Sequence, residues 1–151
     1  DVQAYVLGEH GDTAMIPWSS AAVAGMPIKD YIRVAKPELA EDFDGFFHKI
    51  IEYVRTSGGQ IIKDKGATFY AIAMTVRQLC ESILRDTGEI HPVSSLLTGQ
   101  LGVSDVCISL PSAVGAQGVK HILEYPMTPE EQALFIKSAD AMREVIKTLN
   151  I

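Results

Sequence analysis

The chain has 151 residues, of which 47% are hydrophobic and 21% are charged, a composition typical of one globular domain with its own core. Its formal net charge of −6, without a cluster of lysine and arginine that would bind phosphates, argues against nucleic acid as a partner. No apolar run approaches the roughly 18 residues that a membrane-spanning helix needs, so we expect no membrane partner either.

The first predicted element is a buried strand over residues 2–7, which leads directly into Gly8-Glu9-His10-Gly11-Asp12. A histidine between two glycines at a strand end lies on a sharp turn. Imidazole titrates near neutral pH, so His10 is a candidate acid–base group. From these residues alone, a histidine that only completes the turn with a hydrogen bond is an equal alternative. The chain begins without Met, inside this strand, and we expect it to be a piece of a longer protein.

A short strand is predicted over residues 18–24, and the stretch from there to Pro37 is predicted to be irregular. A helix over residues 38–64 follows, with an apolar stripe at spacings of three and four. Ser57-Gly58-Gly59 interrupts this stripe, and each glycine in mid-helix costs about 1 kcal/mol relative to alanine. The glycines predict a kink, a break or a place where something needs room.

A second helix is predicted after Lys65-Gly66 and ends at Asp86-Thr87-Gly88. Its apolar residues at helical spacing are predicted to form a core face: Phe69, Ile72, Ala73, Val76, Leu79, Cys80, Ile83 and Leu84. Strands are then predicted over residues 90–97, 106–110 and 119–125. Cys80 and Cys107 lie in apolar surroundings, so we expect buried free thiols in a reducing compartment, the cytoplasm.

The last helix has the clearest start signal. Thr128 is a predicted N-cap, Pro129 occupies the first helical position, and Glu131 completes a capping box. The order of strands, two helices, strands and one helix is typical of an α+β fold rather than of alternating βαβ units. No Gly-x-Gly-x-x-Gly follows a strand, and no His-Glu-x-x-His or Cys-x-x-Cys occurs, so neither a dinucleotide fingerprint nor a zinc site is predicted.

Two segments together resemble the lactate/malate dehydrogenase family, and in particular its NAD-dependent L-lactate dehydrogenases. They are Ala4 to Thr13, followed by Pro17-Trp18-Ser19, and Lys65 to Ile72. The resemblance covers essentially the whole chain. It implies that residues 1–151 are the C-terminal substrate-binding domain, with antiparallel strands packed against long helices. The N-terminal NAD-binding domain, the Rossmann half of the family, would then be missing from this chain.

The resemblance implies a role for three residues. His10 would give a proton to the 2-oxo group as hydride arrives from NADH, and would take the hydroxyl proton in the reverse direction. Thr68 would line the substrate pocket and Ile72 would contact the nicotinamide ring, on one helix face because the two positions are four apart. The alternatives are a helix cap for Thr68 and core packing for Ile72. The family's Asp and Arg partners of the histidine would lie upstream, and Asp12 is expected to cap backbone N–H groups instead.

Two positions depart from the family pattern. Gly58 stands near the alanine that commonly lines the pocket for the substrate side chain. The extra room suggests 2-oxo acids larger than pyruvate, as in the branched-chain 2-hydroxyisocaproate dehydrogenases, with a helix irregularity as the alternative. Gln3 replaces the histidine of enzymes activated by fructose 1,6-bisphosphate, and its missing charge argues against that activation. The remaining histidines, His48, His91 and His121, are interpreted as surface or structural residues.

The implied function is the interconversion of L-lactate and pyruvate with NAD as cofactor, in the cytoplasm, as part of glycolysis. Glu9 before the histidine favours lactate over malate, but malate or 2-hydroxyisocaproate dehydrogenase activity stays open. Family members commonly form dimers or tetramers, so we expect a homo-oligomer, a homotetramer first of all. By itself this chain is expected to be an inactive binding or oligomerisation module, because hydride transfer needs the positioned cofactor.

Overall fold

Two three-stranded antiparallel sheets and four α-helices make up the described part of the chain, residues 1–149 of this computed structural model. The strands of the first sheet are β1 Val2–Gln3, β2 Ala22–Val23 and β3 Met26–Pro27, and those of the second are β4 Glu89–Thr98, β5 Ser104–Gly115 and β6 Gly118–Ile122. The helices are α1 Ile28–Ala35, α2 Phe43–Lys65, α3 Tyr70–Arg85 and α4 Pro129–Thr148. None of these helices has the length and apolar character needed to cross a bilayer. The predicted α+β fold is confirmed.

The core lies between the second sheet and α4. Strand β5 is the central strand, and its residues alternate so that Val106, Ile108 and Leu110 point inward. Phe135 of α4 is completely buried against them. Burial of each such side chain contributes roughly 1.5–3 kcal/mol. The other members of this cluster are Leu7, Met15, Leu97, Val103 and Ala139.

The N-terminal segment differs from the prediction. The predicted strand over residues 2–7 pairs only at its ends, as β1 and as isolated bridges at Leu7 and Gly8. Residues 18–24 contain a 3-10 turn, Trp18–Ser20, and only then β2. The stretch predicted to be irregular contains α1, whose Ile32 is buried. Strands β1 and β2 have two residues each, too few to show a periodic pattern. Helix α1 is amphipathic over its eight residues, and the sequence analysis missed that pattern between Pro27 and Pro37.

Helix α2 continues through Gly58 and Gly59, so the break, one of the three predicted alternatives, is wrong. The Asp42 carboxylate caps its start, accepting the Gly45 N–H at 2.8 Å. Its end is Gly66, whose φ of 85° and N–H bond to the Ile62 carbonyl, at 2.7 Å, form a left-handed cap. A glycine weakens a helix by about 1 kcal/mol relative to alanine but keeps its backbone N–H, so the helical hydrogen bonds can continue through it.

The predicted core face of α3 is exposed in this chain. The exposed fraction is 54% for Ile72, 52% for Val76 and 84% for Leu84. Helix α3 contacts β5, and Ser82 is its fully buried residue. The residues are apolar as predicted, but no described part of the chain covers this face.

Both cysteines are exposed, so the prediction of two buried thiols is wrong. Cys107 lies on β5 between buried Val106 and Ile108, and the alternation of a strand therefore directs its side chain away from the core. Cys80 lies on the exposed side of α3, because two residues turn a helix by about 200° and so direct Cys80 away from the buried side of Ser82.

The predicted capping box of α4 is confirmed. The Thr128 hydroxyl accepts the Glu131 N–H at 3.3 Å, and the Glu131 carboxylate accepts the Thr128 N–H at 2.9 Å. The same carboxylate also accepts the Ser19 N–H, at 2.9 Å, and the Ser19 hydroxyl. One side chain therefore caps the helix and attaches the N-terminal segment to it.

An ion pair attaches the β5–β6 hairpin to the end of α3. The Asp86 carboxylate lies 2.5 Å from the Lys120 ammonium and accepts the Ala116 N–H at 2.8 Å. Hydrogen bonds from Lys120 and, second, from Ala116 lower the pKa of Asp86 below its ordinary value. Both side chains lie directly over Gly115, where an added Cβ would displace their ends.

Candidate active site

His10 follows a backbone segment that is hydrogen-bonded on both sides. On one side Leu7 and Met15 exchange N–H to carbonyl bonds of 2.8 and 2.9 Å. On the other side Gly8 and Ser109 of β5 exchange bonds of 3.2 and 3.0 Å. Leu7 is buried, whereas His10, three residues later, is exposed. The sheet therefore holds the base of the turn while the imidazole is open to solvent.

Gly8 is required by both its conformation and its surroundings. Its φ is +91°, a region that residues with side chains rarely adopt. A Cβ at this position would lie 2.5 Å from the Ser138 hydroxyl oxygen of α4. The close contact of the turn with α4 therefore depends on a glycine immediately before Glu9 and His10.

Glu9, rather than Asp12, caps the turn, which corrects the prediction. The Glu9 carboxylate accepts both the backbone N–H of Thr13, at 2.9 Å, and the Thr13 hydroxyl. The Glu9 N–H in turn donates to the Ser138 hydroxyl at 2.8 Å. Residues 9–13 are thus closed into a loop around His10 by side-chain bonds.

His10 borders two cavities. The larger, of about 430 Å³, lies between the turn, strands β4 and β5, and Met142 of α4. The smaller, of about 120 Å³, lies between the turn and the middle of α2. The residues that line the smaller cavity are Val6, Glu9, His10, Gly11, Ala14, Val54 and Arg55.

Arg55 attaches α2 to the turn, a contact that no sequence pattern indicated. Its guanidinium donates twice to the Ala14 carbonyl, at 3.1 and 2.7 Å, and once to Glu52, at 2.7 Å. Residues 14 and 55 are 41 positions apart. This bidentate contact orders the α2 wall of the smaller cavity.

Gly58 lies one helical turn beyond Val54, on the same face of α2 that borders the smaller cavity. A Cβ on Gly58 would meet no atom within 4 Å. The space that the sequence predicted at this position is therefore present, although Gly58 itself does not line a cavity with His10.

Thr68 and Ile72 do not share a helix face, because α3 begins only at Tyr70. Thr68 lies in the linker before it, half-buried, and the side chain of the N-cap residue Phe69 makes no capping bond. Within residues 1–149 the Thr68 hydroxyl makes no capping hydrogen bond to α3, so the predicted helix cap is not observed. Ile72 is exposed, so core packing within this chain does not explain it. Neither residue lines a cavity with His10 in the described part of the chain.

The three remaining histidines agree with their interpretation as surface or structural residues. His48 and His121 are exposed. His91 lies 2.7 Å from the hydroxyl of Ser82, which donates to Glu89 at 3.0 Å, so it belongs to a structural cluster. Gln3 is an exposed residue of β1, paired with Ala22.

Residues 1–150 match the family described as lactate/malate dehydrogenase, alpha/beta C-terminal domain. An L-lactate dehydrogenase of Acetivibrio thermocellus is 44% identical over 151 residues, which are 100% of this chain and 47% of that protein. The solved structure of an L-lactate dehydrogenase from Clostridium thermocellum matches with a TM-score of 0.83 and 35% identity, over 99% of this chain and 47% of that one. A minor L-lactate dehydrogenase from Enterococcus mundtii, in its ligands-bound form, matches with a TM-score of 0.88 and 33% identity, over 97% of this chain and 46% of that one.

The chain thus spans about half the length of the relatives it matches. The matches confirm the resemblance carried by the two sequence segments, and they confirm the fold.

Proposed function

Because the chain belongs to the lactate/malate dehydrogenase family as its C-terminal domain, we propose that it is the substrate domain of an NAD-dependent L-2-hydroxy-acid dehydrogenase that interconverts L-lactate and pyruvate. The observation that carries the proposal is His10, an exposed imidazole on a turn that the sheet and α4 hold in place, beside a cavity. A complete enzyme would also need an N-terminal NAD-binding domain, which we propose precedes these residues in the intact protein.

The chemistry needs one proton and one hydride. In lactate oxidation the hydroxyl proton passes to neutral His10, while the hydride leaves C2; in pyruvate reduction the His10 imidazolium returns the proton to the 2-oxo oxygen. NAD, when bound, supplies the hydride chemistry. The exposure of His10 fits this role, since the imidazole must contact a substrate that arrives from outside this domain.

Only part of the NAD site fits this chain. Ile72 offers an exposed apolar side chain that suits one face of a nicotinamide ring. The phosphates would need a glycine-rich turn between a strand and a helix, and the sequence has no such fingerprint. We therefore assign Ile72 to the nicotinamide, Thr68 to the substrate pocket, and the phosphates to the preceding domain.

The role of His10 is tested in the full-length protein by His10→Gln, with His48→Gln, at a histidine that is also exposed, as control. We expect His10→Gln to lower pyruvate reduction about 10²–10⁴-fold, and His48→Gln to leave it unchanged. Comparable turnover in both variants would contradict the proposal. Faster reduction of oxaloacetate than of pyruvate by the parent would favour the malate dehydrogenase alternative.

The chain of 151 residues alone provides a second test. We expect no appreciable NADH binding and no pyruvate reduction, because this domain lacks the means to position the cofactor. Specific turnover by the isolated chain would refute the proposal that a separate, preceding domain binds the cofactor. A cytoplasmic homo-oligomer, without activation by fructose 1,6-bisphosphate at Gln3, stays a prediction for the intact protein.

Substrate size is a separate part of the proposal, and it depends on Gly58. The empty space beside Gly58, one turn from the cavity wall, would accept a longer substrate side chain. Gly58→Ala should lower kcat/KM for 2-oxoisocaproate much more than for pyruvate. Gly59→Ala is the matched control, since Gly59 is also without neighbours within 4 Å but lies about 100° further around the helix. Equal effects of Gly58→Ala on both substrates would leave only a local role in the helix.

A further inference from the structure

One buried hydroxyl of α4 reaches the His10 turn across 129 residues of sequence. Ser138 is completely buried, and its oxygen accepts the Glu9 N–H at 2.8 Å. The same oxygen lies 3.1 Å from the Thr13 hydroxyl. Gly8 approaches so closely that no Cβ would fit between the turn and this serine. Ser138 thus contacts both ends of the turn.

The proton positions of this cluster follow from its donors and acceptors. A hydroxyl has one proton, and the Thr13 proton is directed to the Glu9 carboxylate, which can only accept when ionised. In the contact between the two hydroxyls, Ser138 must therefore be the donor. The bonds form a closed ring: Glu9 N–H to Ser138, Ser138 O–H to Thr13, and Thr13 O–H back to the Glu9 side chain.

This ring surrounds a residue that has no such support of its own. Within residues 1–149 the His10 side chain makes no hydrogen bond, so its direction depends on the backbone of the turn. The ring holds that backbone immediately before His10, at the Glu9 N–H, and three residues after it, at Thr13. Two of the three bonds involve Glu9, which precedes the imidazole directly.

We propose that Ser138 is a positioning residue for His10, which acts by holding the turn through the Glu9–Ser138–Thr13 ring. The proposal rests on the proposed function, since it assumes that His10 transfers the proton. Misplacement of a catalytic group by about 1 Å lowers rates by up to about 10²-fold. Ser138→Ala leaves the turn otherwise intact, and it should lower kcat about tenfold.

The test uses the full-length protein and two readouts, kcat for pyruvate reduction and hydrogen exchange of the Glu9 amide. Ser138→Ala should lower kcat and also accelerate Glu9 exchange, because that N–H loses its acceptor. Ser112→Ala is the matched control: Ser112 is equally buried, but its hydroxyl donates to the Leu110 carbonyl, within β5. The control should change neither readout, even where it lowers stability.

Thr13 allows a second test of the ring that leaves α4 unchanged. Its side chain is only half-buried, so substitutions there should disturb the fold less than Ser138→Ala. Thr13→Val breaks the ring and should lower kcat, whereas Thr13→Ser keeps the hydroxyl and should restore it. An unchanged kcat in Ser138→Ala or Thr13→Val, or an equal loss in Ser112→Ala, would overturn the positioning role. Full activity of His10→Gln would instead overturn the proposed function, so the two failures are distinguishable.

Discussion

Gly8→Ala should be among the most damaging single methyl additions in this chain. Two costs combine at Gly8: a φ of +91°, and a Cβ that would lie 2.5 Å from the Ser138 oxygen. The strained backbone costs about 1–3 kcal/mol. A contact of 2.5 Å is far inside the usual separation of about 3.5–4.0 Å, and the displacement it forces costs a further 1–3 kcal/mol or so.

The sum, about 2–6 kcal/mol, is a large fraction of the roughly 5–15 kcal/mol that stabilises an ordinary domain. Gly25→Ala separates the two costs. Gly25 has a similar φ of +81°, but a Cβ there would meet nothing within 4 Å. It should therefore show the backbone cost alone, about 1–3 kcal/mol.

The assay is equilibrium urea unfolding of the parent and both variants, made in the same length of chain. The free energies of unfolding are compared with one common slope against urea concentration. The loss in free energy of unfolding should be larger for Gly8→Ala than for Gly25→Ala by at least about 1 kcal/mol, the lower bound of the overpacking cost. Equal losses in the two variants would refute the argument that Ser138 occupies the space beside Gly8. They would also weaken the proposed contact between α4 and the His10 turn.

Two further predictions concern the ends of the helices. Thr128→Ala should lower the free energy of unfolding by about 1 kcal/mol through loss of the cap. Glu131→Ala should lower it further, because it also releases Ser19. Urea unfolding of both variants checks this order, and a smaller loss for Glu131→Ala would contradict it. Asp86 has a lowered pKa in the folded state, so its ion pair with Lys120 stabilises the fold above the ordinary carboxyl pKa of 3.8, and this stabilisation is lost as the pH falls through the folded pKa. Asp86→Asn should therefore be less stable than the parent at pH 7, with a difference that shrinks in unfolding experiments below about pH 4; a difference independent of pH would show that the charge is not its cause.

Helices with local signals could be predicted from the sequence. The capping box of α4 spans four consecutive residues, so its start follows from the sequence alone. Strands β1 to β3 have two residues each, and their pairing partners lie up to about twenty positions away, so no local pattern could identify them. The exposure of α3 depends on what covers it, and periodicity indicates only that the face is apolar.

The candidate site could be predicted only where chemistry and local conformation coincide. His10 was identifiable because two glycines flank a titratable side chain after an apolar run. Ser138 and Arg55 were not, because a serine on a helix and an arginine with an i,i+3 partner are common everywhere. Their importance lies in contacts across 129 and 41 residues, which only the folded chain shows.

The uncovered apolar side of α3 bears on the order in which the protein is made. In a protein with the domain order of the relatives, these residues leave the ribosome last, when the preceding half is already available to fold. When residues 1–151 are expressed by themselves, no such neighbour is available, and Ile72, Val76 and Leu84 stay exposed. The yield of soluble protein from the two lengths of gene is therefore expected to differ, with the shorter one prone to aggregate.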